Sequence, residues 1–331
     1  MPVDLTRDYP VPVSDCWSVL DPSKIKTFKQ CPRQFFYEHV LGWRSKEPNL
    51  HLVFGEAWHQ ALEHLFNNGM SSNKIAEAYE IFRKAFHDEI PENQEDMDHP
   101  KNSGRAVEAL TSYALKWERD LDNIEVLETE VAGTVPISDD RTIHFRLDNI
   151  IKRKDGNYAS IDHKTGGRLS QWWIEGWYLS TQMRAYTHVL YCMYPYDQVY
   201  GVTVSGTFFL KREIKHHRVD VRPTKDSMED WIWEINDLFD QIEWEFARLA
   251  ESKEEDKVMM AFPKNESACF DYGRKCPFHD MCCAWPNPIR NVDRIPYEME
   301  VNHWDPRERE EKATKAVHIK TDKESINVNR S

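Results

Sequence analysis

The stretch from 124 to 167 constrains this chain more than any other. Residues 124–136 and 142–152 alternate apolar and polar side chains, and Ser138-Asp139-Asp140 parts them. Asp155-Gly156-Asn157 is a strong turn signal, and 158–163 reads as the next strand. The pattern predicts a β-meander of about three strands. Helical periodicity surrounds it. Residues 21–45 read as two short helices broken at Cys31-Pro32, since proline suits a helix's first turn. Apolar residues at helical spacing predict helices over 52–69, 73–90, 103–122 and 171–193. A strand pair follows at 198–210 and 214–221, then a long amphipathic helix over 224–252 with Trp231, Ile235, Leu238, Ile242 and Leu249 on one stripe. Helices, a sheet with an inserted helix, then more helix predict a mixed α/β core with a helical cap. A regularly alternating doubly wound sheet does not fit that order.

The 331 residues are 40% hydrophobic, enough apolar material for a sizeable core. No apolar run approaches the roughly 20 residues that span a bilayer. The start lacks the basic and apolar segments of a signal peptide. The expected compartment is therefore cytoplasmic, or the host cytoplasm for a viral chain, with no membrane partner. There, seven cysteines read as metal ligands or buried thiols rather than disulfides. A net charge of −13 argues against coating nucleic acid by bulk attraction, but leaves room for a local groove. The acidic block 88–98 reads as a solvated loop. The expected organisation is an N-terminal extension over 1–20, a main domain over 21–290 with a helical insertion at about 60–122, and a charged, flexible tail over 291–331.

The chemistry concentrates in 145–167, FRLDNIIKRKDGNYASIDHKTGG. Residues two apart on a strand share a face, so Asp162 and Lys164 point together, with the His163 carbonyl between them. Asp148 lies on the neighbouring strand. Two carboxylates and a carbonyl form a hard oxygen site suited to Mg²⁺ or Mn²⁺. Such an ion polarises a phosphate and lowers the pKa of water, and a lysine beside it orients that water or stabilises developing charge. Phosphodiester hydrolysis needs those parts. An isolated Asp-x-Lys is common in strands, so the pair alone carries little. Glu128 and Glu130 read as exposed strand charge.

Further motifs raise the weight. Ser23, Ile25, Phe28, Cys31, Pro32 and Phe35 form one segment, and Gly55 and His59 follow at helical spacing. Asp148 comes next, then Asp162-His163-Lys164-Thr165-Gly166, then Gln182 and Tyr186 one helical turn apart. In that order they resemble the RecB-like branch of the PD-(D/E)XK nuclease superfamily, including AddB-type and CRISPR-associated RecB-type exonucleases. Phe145 stands where that branch often has glycine. The resemblance covers about residues 20–285. It implies a restriction-endonuclease-like mixed sheet flanked by helices. It also implies a metal held by His59, Asp148, Asp162 and the His163 carbonyl, Lys164 as catalytic lysine, and Gln182 and Tyr186 on the DNA side.

The segment 269–283, CFDYGRKCPFHDMCC, brings three or four thiols close in sequence, which suggests a metal centre. By the same resemblance, Cys31, Cys269, Cys276 and Cys282 would hold a [4Fe-4S] cluster that staples the two ends of the domain. Zinc is the competing occupant, and Cys283 is an alternative to Cys282. Lys24, Lys26, Lys29 and Arg33, with Phe35, Phe36, Tyr37, Trp172, Trp173 and Trp177, are candidates for guiding a strand by charge and stacking. The expected function is a metal-dependent deoxyribonuclease, an exonuclease on single strands or DNA ends in recombination, repair or replication. The competing readings are a non-catalytic nuclease-like subunit that binds DNA ends or a partner, and a CRISPR-adaptation trimming factor. The sequence has no GxxxxGK[ST] loop, so any unwinding needs a partner helicase.

Overall fold

A computed structural model describes residues 3–311 and 313–320. Two helices open the core, α1 (Pro22–Gln30) and α2 (Pro32–Phe35), and strand β1 (Trp43–Ser45) follows. Asp21 caps α1 by accepting from Lys24 N–H. Three long helices come next, α3 (Leu50–Asn68), α4 (Ser72–Glu89) and α5 (Ser103–Leu121). The meander is β2 (Ile124–Pro136), β3 (Thr142–Arg153) and β4 (Tyr158–Gly166). Then come α6 (Gln171–Glu175), α7 (Thr181–Met193), β5 (Val199–Phe209), β6 (Ile214–Val221) and α8 (Lys225–Glu251). The chain ends with α9 (His279–Ala284), β7 (Met299–Val301), α10 (Arg307–Glu311) and β8 (Lys315–His318).

Six strands form one mixed sheet in the order β6-β5-β4-β3-β2-β8. The β4–β5 and β2–β8 pairs are parallel and the others antiparallel. The parallel step from β4 to β5 needs a crossover, which α6 and α7 supply. Each face of the sheet has its own core. Trp58, Leu62, Phe82, Phe86 and Tyr113 from α3, α4 and α5 cover Ile151, Ala159 and Ile161. Met183, Val189, Trp231, Ile235 and Ile242 from α7 and α8 cover Val131, Leu147, Val202 and Val204. This is the expected mixed sheet flanked by helices. Among the described residues no helix is long and apolar enough to cross a membrane.

Several expectations need correction. The helix expected over 171–193 is two, because Gly176 is a poor helix former and ends α6, and Ser180 begins α7 afresh. Of the 1–20 extension, the described residues 3–20 are part of the fold, since Val3, Val11, Trp17 and Leu20 are buried in the main core. The described part of the tail carries secondary structure paired to the main domain. β7 pairs antiparallel with β1, and β8 adds a parallel edge strand to β2. An edge strand is held by main-chain groups, so its polar side chains hide it from hydropathy. Residues 321–331 lie outside the described residues. The 24–33 basic run is not a free groove. Lys24 is buried, its ammonium donating to the Cys16 and Val19 carbonyls, and Arg33 is buried against the carbonyls of Phe262, Met259 and Ala261. Phe35, Phe36 and Tyr37 are core residues.

Candidate active site

The site lies where β3 and β4 part. The two strands pair only at Ile151–Ala159 and Lys152–Tyr158, beside the turn. Beyond that, β3 side chains take over the N–H groups of β4. Ile161 N–H donates to Asn149 Oδ1 at 2.9 Å, and His163 N–H donates to Asp148 Oδ2 at 2.7 Å. Main-chain donors are thus satisfied although the ladder is open. A cleft of about 710 Å³ lies against this split, and His59, Asp148, Asp162, His163, Lys164, Gln182 and Tyr186 all line it.

Alternation along β4 puts Asp162 and Lys164 on one face. Lys164 Nζ lies 2.8 Å from Asp162 Oδ2 and donates to Oδ1 at 3.0 Å. The His163 ring turns to the other face, against Phe66 and Tyr113. Burial pushes that imidazole down to about 3, so it is a neutral packing group. From α3, His59 Nδ1 reaches Asp148 Oδ1 at 3.0 Å. Burial opposes charge on His59, but the Asp148 carboxylate outweighs it and raises the imidazole pKa. Burial likewise opposes ionisation of Asp148, yet the charge and hydrogen bond of His59, with Lys164 adding, hold it well below the usual carboxylate range. Asp162 shifts the other way. Burial raises it to about 6, with Lys164 opposing and the Asp148 charge adding to the rise. From α7, Gln182 Nε2 donates to Tyr186 Oη at 2.8 Å. The Tyr186 hydroxyl is held protonated by burial and by the charges of Asp162 and Asp148.

The structure adds residues that sequence reasoning passed over. Thr129 pairs with Asn149 and Val131 with Leu147, which puts Glu130 across from Asp148. Glu130 is buried, with its backbone at φ 48°, and is not exposed strand charge. His59, Glu130 and Asp148 each bring a ligand atom within 4.8 Å of the others. Burial, with the Asp148 charge added, raises Glu130 to about 7 despite Arg146 Nε at 2.5 Å. Arg146 also reaches Glu56 at 3.3 Å, and Arg309 from the C-terminal segment meets Glu56 at 2.8 Å. Burial works against Glu56 too, but these two arginines outweigh it and bring its carboxyl to about 2. Counting back through the 138–140 turn would have put Glu130 opposite Asp148. Nothing local marks Arg309.

These donors fit a divalent cation. Buried carboxylates that resist ionisation, beside one imidazole, form a hard site that a 2+ charge would relieve. The model of the PD-(D/E)XK nuclease superfamily matches residues 20–283. The chain belongs to that superfamily. Asp148, Asp162 and Lys164 all lie within the matched residues. No significant match to the chain was found among curated proteins. The crystal structure of SSO0001 aligns over 64% of this chain and 83% of its own at 11% identity and a TM-score of 0.24, a likeness that carries no argument.

The PD-(D/E)XK region also contains the cysteines. Cys31 is buried, and Cys269, Cys276 and Cys282 are half-buried. Cys276 N–H donates to the Cys269 carbonyl at 2.8 Å, and Asn265 N–H points at Cys31 Sγ at 3.4 Å. Burial raises the Cys276 thiol, with Cys31 and Cys269 adding to the rise. Burial raises Cys282 to about 11, with Cys31 and Cys276 adding and Arg33 and Lys264 opposing. Among the described residues the group of metal-ligating side chains set within 4.8 Å of one another is His59, Glu130 and Asp148, and the four thiols do not form such a group; Cys283 is exposed beside His279.

Proposed function

We propose that the protein is a metal-dependent DNA nuclease that hydrolyses phosphodiester bonds, acting as an exonuclease on single strands or DNA ends. One observation carries this reading: the Asp162–Lys164 pair and the Asp148–His59 pair line one water-accessible cleft at the split between two strands. His59, Asp148, Asp162 and the His163 carbonyl would hold Mg²⁺ or Mn²⁺, with Glu130 as a further carboxylate. When bound, the ion supplies charge stabilisation at the phosphate and a lower pKa for water. Lys164, beside Asp162, offers positive charge where the phosphoryl oxygens gain negative charge. Gln182 and Tyr186 hold each other in one rotamer pair and present amide and hydroxyl to the substrate strand.

Cys31, Cys269, Cys276 and Cys282 suit a [4Fe-4S] cluster, whose role would be to tie the first helices to the end of the domain. Zinc would leave the protein colourless, whereas the cluster makes it brown. Any helicase or recombination partner would deliver the single strand. The nuclease reading is tested with end-labelled single- and double-stranded DNA in Mg²⁺ or Mn²⁺, beside a circular substrate. Wild type should cut the linear substrates and spare the circle, and Asp162→Ala and Lys164→Ala should lose at least about a hundredfold in rate. Mutants that cut like wild type would remove the catalytic assignment.

A further inference from the structure

Away from the carboxylates, the same cleft is lined by residues from α2 onward and from the C-terminal segment, among them His39, Arg44, Trp304 and Arg309. His39 is 4% exposed, and neither ring nitrogen has a hydrogen-bond partner. Its ring is fixed against Phe35 at 5.1 Å. The Arg44 side chain, on β1, makes no hydrogen bond or ion pair with any described residue, and its Nε is buried without a partner. Its guanidinium sits 5.5 Å from the centre of the Trp304 ring. Trp304 is pinned in turn, since its indole N–H donates to Asp21 Oδ2 at 3.0 Å and Arg309 lies 5.1 Å from the same ring.

Buried polar groups are ordinarily satisfied, so two donor groups that face one cleft without a side-chain hydrogen bond, His39 with only the Glu38 carboxylate 3.9 Å from its Nε2, need an explanation. Lysine and arginine in comparable positions of this protein do find partners. Lys24 takes two carbonyls, and Arg309 takes Glu56. A guanidinium held on an indole face keeps its N–H fork pointed outward, which suits a phosphate. The imidazole adds a neutral donor without another charge.

We propose that Arg44 and His39, backed by Trp304, form an anchor for one backbone phosphate of a single DNA strand, separate from the phosphate being cut. This rests on the nuclease reading for the identity of the strand. The C-terminal segment thereby becomes part of the substrate site. Trp304 orients Arg44, and Arg309 ties the segment through Glu56 to the Arg146–Glu130 pair beside the metal ligands. The anchor makes substrate length matter, because a strand too short to reach it loses one phosphate contact.

The test is equilibrium binding of a fluorescein-labelled oligothymidylate by anisotropy in EDTA, over a range of salt, so no cleavage is required. Arg44→Gln should weaken binding about tenfold, as expected for losing a charge-assisted hydrogen bond. It should also flatten the log–log salt slope by about 0.7, the value for one phosphate of a single strand. His39→Phe keeps the packing on Phe35 and should weaken binding severalfold with the slope unchanged. Arg83→Gln, on α4 outside the cleft, removes the same charge and should leave affinity and slope alone. An Arg44→Gln protein with native circular dichroism that binds within twofold of wild type at an unchanged slope overturns the anchor. Should that variant not fold, His39→Phe decides, and binding within twofold of wild type overturns it. A wild type that cuts DNA while both variants bind normally refutes the anchor alone. A wild type that binds through Arg44 but never cuts refutes the nuclease reading and leaves the anchor standing.

Discussion

Arg146→Met tests the charge network beneath the site. Arg146 Nε lies 2.5 Å from Glu130 Oε2, and the Glu130 side chain is only 7% exposed. Its second partner, Glu56, is 39% exposed and keeps Arg309. Removing one member of a buried pair costs roughly 3–5 kcal/mol, mostly from the charge left behind. Glu130 can shed that charge by taking a proton, since burial already raises it to about 7. The cost at neutral pH should therefore sit at the low end, about 3 kcal/mol, and the half-exposed Glu56 should add little. Neutralising the stranded carboxylate should recover most of the loss, so Arg146→Met with Glu130→Gln should cost about 1 kcal/mol. Urea unfolding in EDTA at pH 7 measures both, provided the slope with denaturant is unchanged. A single variant costing under about 1 kcal/mol, or a double variant as unstable as the single, would refute the reasoning.

Three further outcomes are expected. Gly133 has φ +151°, and a Cβ there would meet the Val317 carbonyl oxygen at 1.8 Å. Gly133→Val should therefore push β8 off the sheet at a cost of about 1–3 kcal/mol and speed proteolysis of the C-terminal segment; an unchanged cleavage rate would contradict it. Burial lowers Lys101 to about 8 from 10.5, so the unfolded chain binds more protons between those values and stability rises with pH across that window. Relative to Lys101→Met, wild type should gain about 3 kcal/mol from pH 8 to 10.5, and denaturation curves that run parallel would exclude it. Cys31→Ser should lose the brown colour and visible absorbance if the four thiols hold a cluster, and an unchanged spectrum would remove Cys31 from the set.

Much of this molecule is legible in its sequence for plain reasons. Helices and strands over 50–221 announce themselves because each buries one face, and the period of apolar residues reports which. Asp162 and Lys164 share a face because strand geometry demands it. What stays hidden depends on contacts between distant segments. Lys24, Arg33 and the aromatics at 35–37 look like a substrate groove, but position in the fold makes them core. Glu130 looks exposed, because alternation does not report which cross-strand neighbour it meets.

The sequence by itself therefore determined the order of the main helices and strands, the face shared by Asp162 and Lys164, and the PD-(D/E)XK superfamily. Tertiary structure alone decided that β3 and β4 separate after two pairs, with Asp148 and Asn149 side chains replacing the ladder. It also decided that a polar, charged tail becomes an edge strand and a wall of the cleft. The physical reason is common to both. Main-chain hydrogen bonds and long-range ion pairs hold these features together, and neither leaves a periodic trace in the side chains that sequence reading can see.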